Sequence, residues 1–122
     1  MTTTPCVFCA IAADTAPATV VREWPDAIAI LPRTGVGERG DHVLVIPRCH
    51  VATAIEDATV TGTVSARAAQ LALELGWHDA NLIANIGPYG SQTVQHLHWH
   101  LLRRRPGDHI ALPWPQPLQE TA

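Results

Sequence analysis

Short apolar segments, several of them alternating apolar and polar residues, recur along the chain and predict β-strands. One longer segment repeats apolar residues at helical spacing and predicts a helix from about Val60 to Leu75. Thr59 or Thr61 can cap its start, and Gly76 can end it in the left-handed conformation. The predicted strands are residues 20–24, 27–31, 43–46, 82–86 and 95–103. This order predicts an α+β domain in which helices pack on one face of an antiparallel sheet.

The composition supports one folded domain and excludes several classes of protein. Of the 122 residues, 47% are hydrophobic and 16% are charged, and the formal net charge of −3 is small, which excludes intrinsic disorder as the main state. No run approaches the ~20 apolar residues of a membrane helix. Residues 1–5 lack the basic and apolar regions of a signal peptide. We therefore expect a cytoplasmic protein without a membrane partner, a single domain over residues 1–122, and an irregular proline-rich tail from about residue 106.

The charged residues argue against a nucleic-acid partner. All eight basic residues are arginine, and only Arg103, Arg104 and Arg105 stand together. The pI near 6.1 differs from the basic character typical of a nucleic-acid-binding domain. We expect no nucleic acid among the partners.

The three cysteines predict metal binding rather than disulfides. An odd count in a reducing compartment argues against a disulfide framework. Cys6 and Cys9 form a C-x-x-C pair, whose spacing fits two corners of a tetrahedral zinc site. A redox dithiol or simple packing would use the same pair, although a redox pair normally follows a strand. Zinc would need two further donors, and the chain contains seven histidines.

Three of those histidines occupy alternate positions within one predicted strand. On a strand, His96, His98 and His100 share one face, while the apolar residues between them share the other face and point into the core. A half-exposed strand that happens to use histidine is one interpretation. A three-histidine metal site is a second, and it would need a bulge. Separate roles for the three side chains, in metal binding, nucleophilic attack and substrate binding, are the third.

Residues 96–102, HLHWHLL, resemble the His-φ-His-φ-His-φ-φ motif of the histidine triad (HIT) family of nucleotide hydrolases and transferases. Four other segments are similar to parts of that family, at residues 6–11, 41–50, 81–87 and 91–94. The resemblance extends from about residue 5 to 108. It implies a HIT-like fold, with an antiparallel sheet of about five strands, a main helix and a short N-terminal helix or turn.

The resemblance also implies an activity. The family displaces groups at the α-phosphorus of nucleoside phosphates, which implies a hydrolase acting on purine nucleoside phosphoramidates or related adenylated compounds and releasing the monophosphate. His98 would attack and form a nucleotidyl-histidine intermediate, the backbone carbonyl of His96 would hold the other ring proton of His98, and His100 would donate to the phosphate. The implied substrate-binding residues are His42, Asn85, Gln92 and Thr93.

By resemblance, a structural zinc would be bound by a Cys₂His₂ set: Cys6, Cys9, His50 and His96. This set is closed and leaves no position for water. Cys49 is an alternative ligand.

The resemblance further implies a homodimer. Alternative functions are a diadenosine polyphosphate hydrolase, a nucleotidyl transferase, and a nucleotide- or zinc-binding module with little turnover. One departure concerns the ribose, because Pro32 stands near the place where many family members have an acid.

Overall fold

The computed structural model describes residues 6–114. Its elements in chain order are helix α1 (Val7–Ala12), strands β1 (Val20–Glu23), β2 (Ala27–Ile30) and β3 (His42–Pro47), helix α2 (Ala58–Leu75), strand β4 (Ala80–Ile83), a 3₁₀ turn (Pro88–Gly90) and strand β5 (Trp99–Arg103). The residues examined for a signal peptide, 1–5, and the tail residues 115–122 lie outside the described part.

The five strands form one antiparallel sheet in the order β1-β2-β3-β5-β4. This confirms the predicted α+β class, the main helix and the short N-terminal helix. Alternate side chains of the central strands enter two separate cores. Ala29 and Val45 pack with α2 on one face, whereas Ile28 and Leu44 pack with Phe8 of α1 on the other face.

Helix α2 covers one face of the sheet with a stripe of small and branched apolar residues. Val64, Ala68 and Leu71 follow one another at helical spacing and are almost fully buried. The helix begins at Ala58, two residues earlier than predicted, because the Asp57 carboxylate accepts the backbone N–H groups of residues 59 and 60. The prediction of Thr59 or Thr61 as the cap was therefore wrong. The predicted end is confirmed, since Gly76 adopts a φ of 71°.

Two predicted strands have different bounds, and the late start of β5 and the early end of β4 have one common reason. Strand β5 begins at Trp99 rather than at residue 95, and β4 spans Ala80–Ile83 rather than 82–86. Before Trp99 the chain leaves the sheet, because the Leu97 N–H donates to the Val51 carbonyl at 2.6 Å. Residues 84–86 would need partners in that segment to continue β4. His96 and His98 therefore precede the strand rather than lying on it.

The segment between β2 and β3 folds back over the end of the sheet. Gly37 and Gly40 have φ values of 74° and 90°, which glycine adopts without strain. The tail packs against this segment: a Cβ on Gly37 would lie 3.4 Å from the Ile110 side chain. The tail is irregular from residue 106 to 114, as predicted. Among residues 6–114, no helix has the length and hydropathy needed to cross a membrane.

Candidate active site and metal centre

The three clustered histidines lie on the α1 side of the sheet because the apolar residues between them are buried on the α2 side. Leu97 and Leu101 are each 2% exposed in the α2-side core. His96 is fully buried and His98 is 6% exposed. The ring centroids of His98 and His100 are 5.0 Å apart. The predicted division into a histidine side and an apolar side thus survives although the strand starts at Trp99.

His98 is held as a neutral ring with a defined tautomer. Its Nδ1 lies 2.8 Å from the backbone carbonyl oxygen of His96, so Nδ1 carries the proton and donates it. Burial lowers the pKa of His98, against an opposing effect of that hydrogen bond. A neutral imidazole with Nδ1 protonated presents Nε2 as an unprotonated nitrogen with a lone pair. The Phe8 ring contacts the His98 ring edge-on at 5.2 Å between centroids.

A second chain of hydrogen bonds fixes the tautomers of His42 and His100. The Val36 N–H donates to His42 Nδ1 at 3.1 Å, so the proton of His42 is on Nε2. That Nε2–H lies 2.9 Å from His100 Nδ1 and donates to it. His100 must then carry its own proton on Nε2. This nitrogen is buried and has no hydrogen-bond partner among residues 6–114.

The surroundings keep both of these histidines neutral. Burial, with a further contribution from His98 and His42, lowers the pKa of His100 to about 4. Burial also lowers the pKa of His42, and the neighbouring His98 lowers it further. The site therefore offers one unprotonated nitrogen at His98 and one N–H donor at His100 on neighbouring rings.

These histidines line a cleft of about 1030 Å³ between α1 and the loop that joins β2 to β3. One wall is apolar and comes from α1 and the sheet, with Val7, Phe8, Ile11, Ile30 and Leu44. The opposite wall is the loop of residues 32–40. Sequence reasoning missed the α1 wall, and of the loop wall it noted only the ribose position near Pro32. The available signal was the position of Phe8 between two potential metal ligands and the density of glycine and arginine in the loop.

The structure brings only some of the predicted substrate-binding residues into this cleft. His42 and Thr93 line it. Gln92 does not: its side-chain oxygen accepts the Gly87 N–H, and its side-chain NH₂ group donates to two backbone carbonyls. Asn85 also lies outside the lining, and its NH₂ group donates to the Ser91 carbonyl at 3.4 Å. Both amides brace the turn that precedes the histidines.

The four predicted metal ligands converge on one point. Donor atoms of Cys6, Cys9, His50 and His96 all lie within 4.8 Å of one another. Three of the four sulfur–nitrogen separations are 3.2, 3.3 and 3.5 Å. A tetrahedral zinc with ordinary bond lengths places its sulfur and nitrogen ligands about 3.5 Å apart. The cluster therefore has the dimensions required to hold one such ion.

The hydrogen bonding of His96 is also that of a metal ligand. Its Nε2 lies 2.9 Å from the Pro47 carbonyl and donates to it, which leaves Nδ1 free of a proton and directed at the cysteines. The Cys6 sulfur accepts the Cys9 N–H at 3.3 Å, as a thiolate ligand would. The alternative ligand Cys49 is exposed and is not part of the cluster. His78 and His109 are exposed, as the absence of a motif around them predicts.

Fold and cleft together define a protein of the histidine triad class. A family model described as the HIT domain matches residues 14–107, and the chain belongs to that family. The HIT-like protein Rv1262c of Mycobacterium tuberculosis is 41% identical over 119 residues, which cover 88% of this chain and 77% of that protein.

Two solved structures are similar over most of their length. A HIT family hydrolase from Legionella pneumophila is 34% identical with a TM-score of 0.74, covering 83% of this chain and 94% of that chain. A Zn-bound histidine triad family protein from Mycobacterium smegmatis is 35% identical with a TM-score of 0.72, covering 95% of this chain and 86% of that chain.

Proposed function

We propose that the protein hydrolyses purine nucleoside phosphoramidates, or related adenylated compounds, at the α-phosphorus and releases the nucleoside monophosphate. The observation that carries this proposal is the state of His98, a buried neutral ring whose Nδ1–H is held by the His96 carbonyl. A nucleophile of this kind needs no separate base, because Nε2 already has a free electron pair. The apolar wall of α1 suits a purine ring, and the histidines then face its phosphate.

The reaction follows from the two neighbouring rings. His98 Nε2 forms a bond to phosphorus while the bond from phosphorus to the leaving group breaks, and the leaving group departs with the electron pair and takes up a proton from solvent water. The His98 ring then carries a positive charge, which the His96 carbonyl stabilises through Nδ1–H. Water attacks the phosphorus in the second step, loses a proton and releases His98 as a neutral ring.

The Nε2–H of His100 supplies the donor that the phosphate needs. It is buried, lacks another partner in the described chain, and belongs to a ring next to His98. A preorganised donor of this kind interacts more strongly with the oxygens as their charge grows in the transition state, and removing one such donor typically costs 10²–10³ in rate. Thr93 at the cleft wall can add a hydroxyl donor.

Zinc fits the donor set formed by the two cysteines with His50 and His96, and a similar protein from M. smegmatis is Zn-bound. In a closed Cys₂His₂ set the ion has no open position, so its contribution is to folding and not to the reaction. His96 links the two sites, because its ring would bind the ion while its carbonyl orients His98. The zinc would thereby support the geometry of the nucleophile.

The assembly is proposed to be a homodimer in the cytoplasm. Strand β4 is an edge of the sheet, and an unpaired strand edge is a surface on which another chain can pair. Leu82 on that strand is 37% exposed, and Leu73 of the adjoining helix is 74% exposed. A two-fold contact would cover these apolar side chains.

The direct test is turnover of a panel of adenylated substrates, measured as released monophosphate with wild-type protein, His98→Asn and the exposed control His78→Asn. Wild type and His78→Asn should release the monophosphate, and His98→Asn should be at least about 10³-fold slower with an unchanged circular dichroism spectrum. Rapid quenching with labelled substrate should leave acid-labile label on wild type only. Near-normal turnover by His98→Asn would refute the proposed nucleophile, and binding without turnover would indicate a binding module.

A further inference from the structure

The loop between β2 and β3 carries two arginines on the wall of the cleft. Arg33 and Arg39 both line the cleft and are exposed. In the described range 6–114, neither guanidinium has a hydrogen bond or an ion pair to another side chain. The chain as a whole carries an excess of acidic residues, eleven against eight basic ones. Two arginines on one wall therefore depart from the overall charge of the molecule.

The carboxylates of the same loop are bound by another residue. Glu38 is the acidic residue among the described cleft-lining residues, and it lies 3.6 Å from the Arg105 guanidinium. Asp41 pairs with the same guanidinium at 2.6 Å. Arg105 thus offsets one of these two negative charges from outside the cleft. Three arginines (Arg33, Arg39 and Arg105) face two carboxylates here, so this part of the molecule keeps one net positive charge although the whole chain is negative.

The loop is tied to the reacting histidines rather than being a free flap. Its Val36 N–H donates to His42, which in turn donates to His100. A Cβ on Gly35 would lie 3.5 Å from Pro32 and 3.6 Å from His42, so the loop backbone packs closely on both. The two arginines are therefore carried by a segment whose position is fixed relative to the histidine that faces the α-phosphate.

We propose that Arg33 and Arg39 form a subsite for a second phosphoryl group of the substrate, separate from the α-phosphate that His98 attacks. The inference rests on the proposed function and specifies its substrate class, which is nucleotides that carry a further phosphate. Guanidinium groups bind phosphate through paired N–H donors. The second phosphate has two possible sources with the same chemistry, a phosphate on the ribose or the next phosphate of a polyphosphate leaving group.

The experiment compares kcat/KM for three substrates: adenosine 5′-phosphoramidate, its 3′-phosphorylated form, and diadenosine triphosphate. The proteins are wild type, the double variant Arg33→Gln/Arg39→Gln, and the control Arg22→Gln, whose arginine pairs with Glu74 at the surface. For wild type and the control, kcat/KM should be higher for either the 3′-phosphorylated form or diadenosine triphosphate than for adenosine 5′-phosphoramidate. The double variant should lose up to about fivefold of that preference for each arginine, since exposed charge pairs are typically worth up to ~1 kcal/mol. Which substrate is preferred identifies the source of the phosphate.

Two outcomes would overturn the subsite while leaving the proposed function intact: equal kcat/KM for all three substrates in wild type, or an unchanged preference in the double variant. If wild type hydrolyses none of the three, the proposed function fails for these substrates and the subsite is judged by binding. Calorimetry with AMP, ADP and adenosine 3′,5′-bisphosphate should then show that wild type binds either ADP or the bisphosphate more tightly than AMP, and added salt and the double substitution should weaken that binding. Equal affinities for the three ligands would overturn the subsite.

Discussion

Replacing His100 should flatten the dependence of stability on pH. Burial and the neighbouring histidines lower its folded-state pKa to about 4, whereas a histidine in the unfolded chain titrates near ~6.5. Between these values the unfolded state binds more protons than the folded state. The contribution of His100 to stability is therefore fully present above about pH 6.5 and is lost progressively as the pH falls towards 4.

The size of the effect follows from these two pKa values. Lowering the pH from about 7.5 to 5.5 protonates most of the unfolded-state histidine and almost none of the folded one, which costs about 1.3 kcal/mol. In His100→Asn this cost disappears. The asparagine oxygen can still accept the Nε2–H of His42, so the replacement removes the titrating group while keeping an acceptor for its neighbour.

The assay is urea unfolding at both pH values, with the zinc content held equal. The loss of unfolding free energy between the two pH values should be about 1.3 kcal/mol smaller in His100→Asn than in wild type. His78→Asn, which removes an exposed histidine outside the cleft, should retain the wild-type difference. An identical pH dependence in His100→Asn and wild type would refute the conclusion that His100 is held neutral in the folded protein.

Three further predictions concern the metal, the main helix and the assembly. Cys6→Ser should lose zinc, counted by elemental analysis, and melt at a lower temperature, whereas Cys49→Ser should keep the wild-type zinc content and melting temperature. Full zinc content in Cys6→Ser would exclude the four-residue cluster as the zinc site. Asp57→Ala should cost about 1 kcal/mol in chemical unfolding, and Thr59→Ala should cost clearly less, since the aspartate caps the helix; equal costs would contradict this. Light scattering should give about 26 kDa, twice the 13.2 kDa chain, and a mass that stays at one chain across micromolar concentrations would rule out the dimer.

The architecture could be predicted from the sequence because the pattern of apolar residues along each strand matches the pattern of burial in the fold. Ile28 and Ala29 alternate between the two cores as a period of two requires. The pattern could not show where β5 begins, because that boundary depends on the Leu97 N–H finding the Val51 carbonyl, 46 residues away along the chain. The histidines nevertheless share a side, since burying Leu97 and Leu101 fixes the direction of the residues between them.

The cleft was predicted less completely than the fold, because its α1 wall was missed, and the substrate-binding roles of Asn85 and Gln92 stay predictions. Asn85 and Gln92 match motif positions, but a side-chain amide can serve a backbone turn as readily as a ligand, and here both do so. The helix start was misplaced because Asp57 and Thr59 are both good capping residues. The path of the backbone decides which of these polar side chains bonds to nearby backbone groups and which faces the cleft.

The position of one proton in the cleft is encoded in the main chain. The amide of Val36 determines which nitrogen of His42 carries hydrogen, and His42 passes that choice on to His100. Every residue type except proline supplies this amide, and the Val36 side chain itself is 42% exposed. Homologous proteins can therefore differ freely in the side chain at this position and still share the same proton arrangement. A comparison of side chains alone would pass over the residue that orders the hydrogen bonds of His42 and His100.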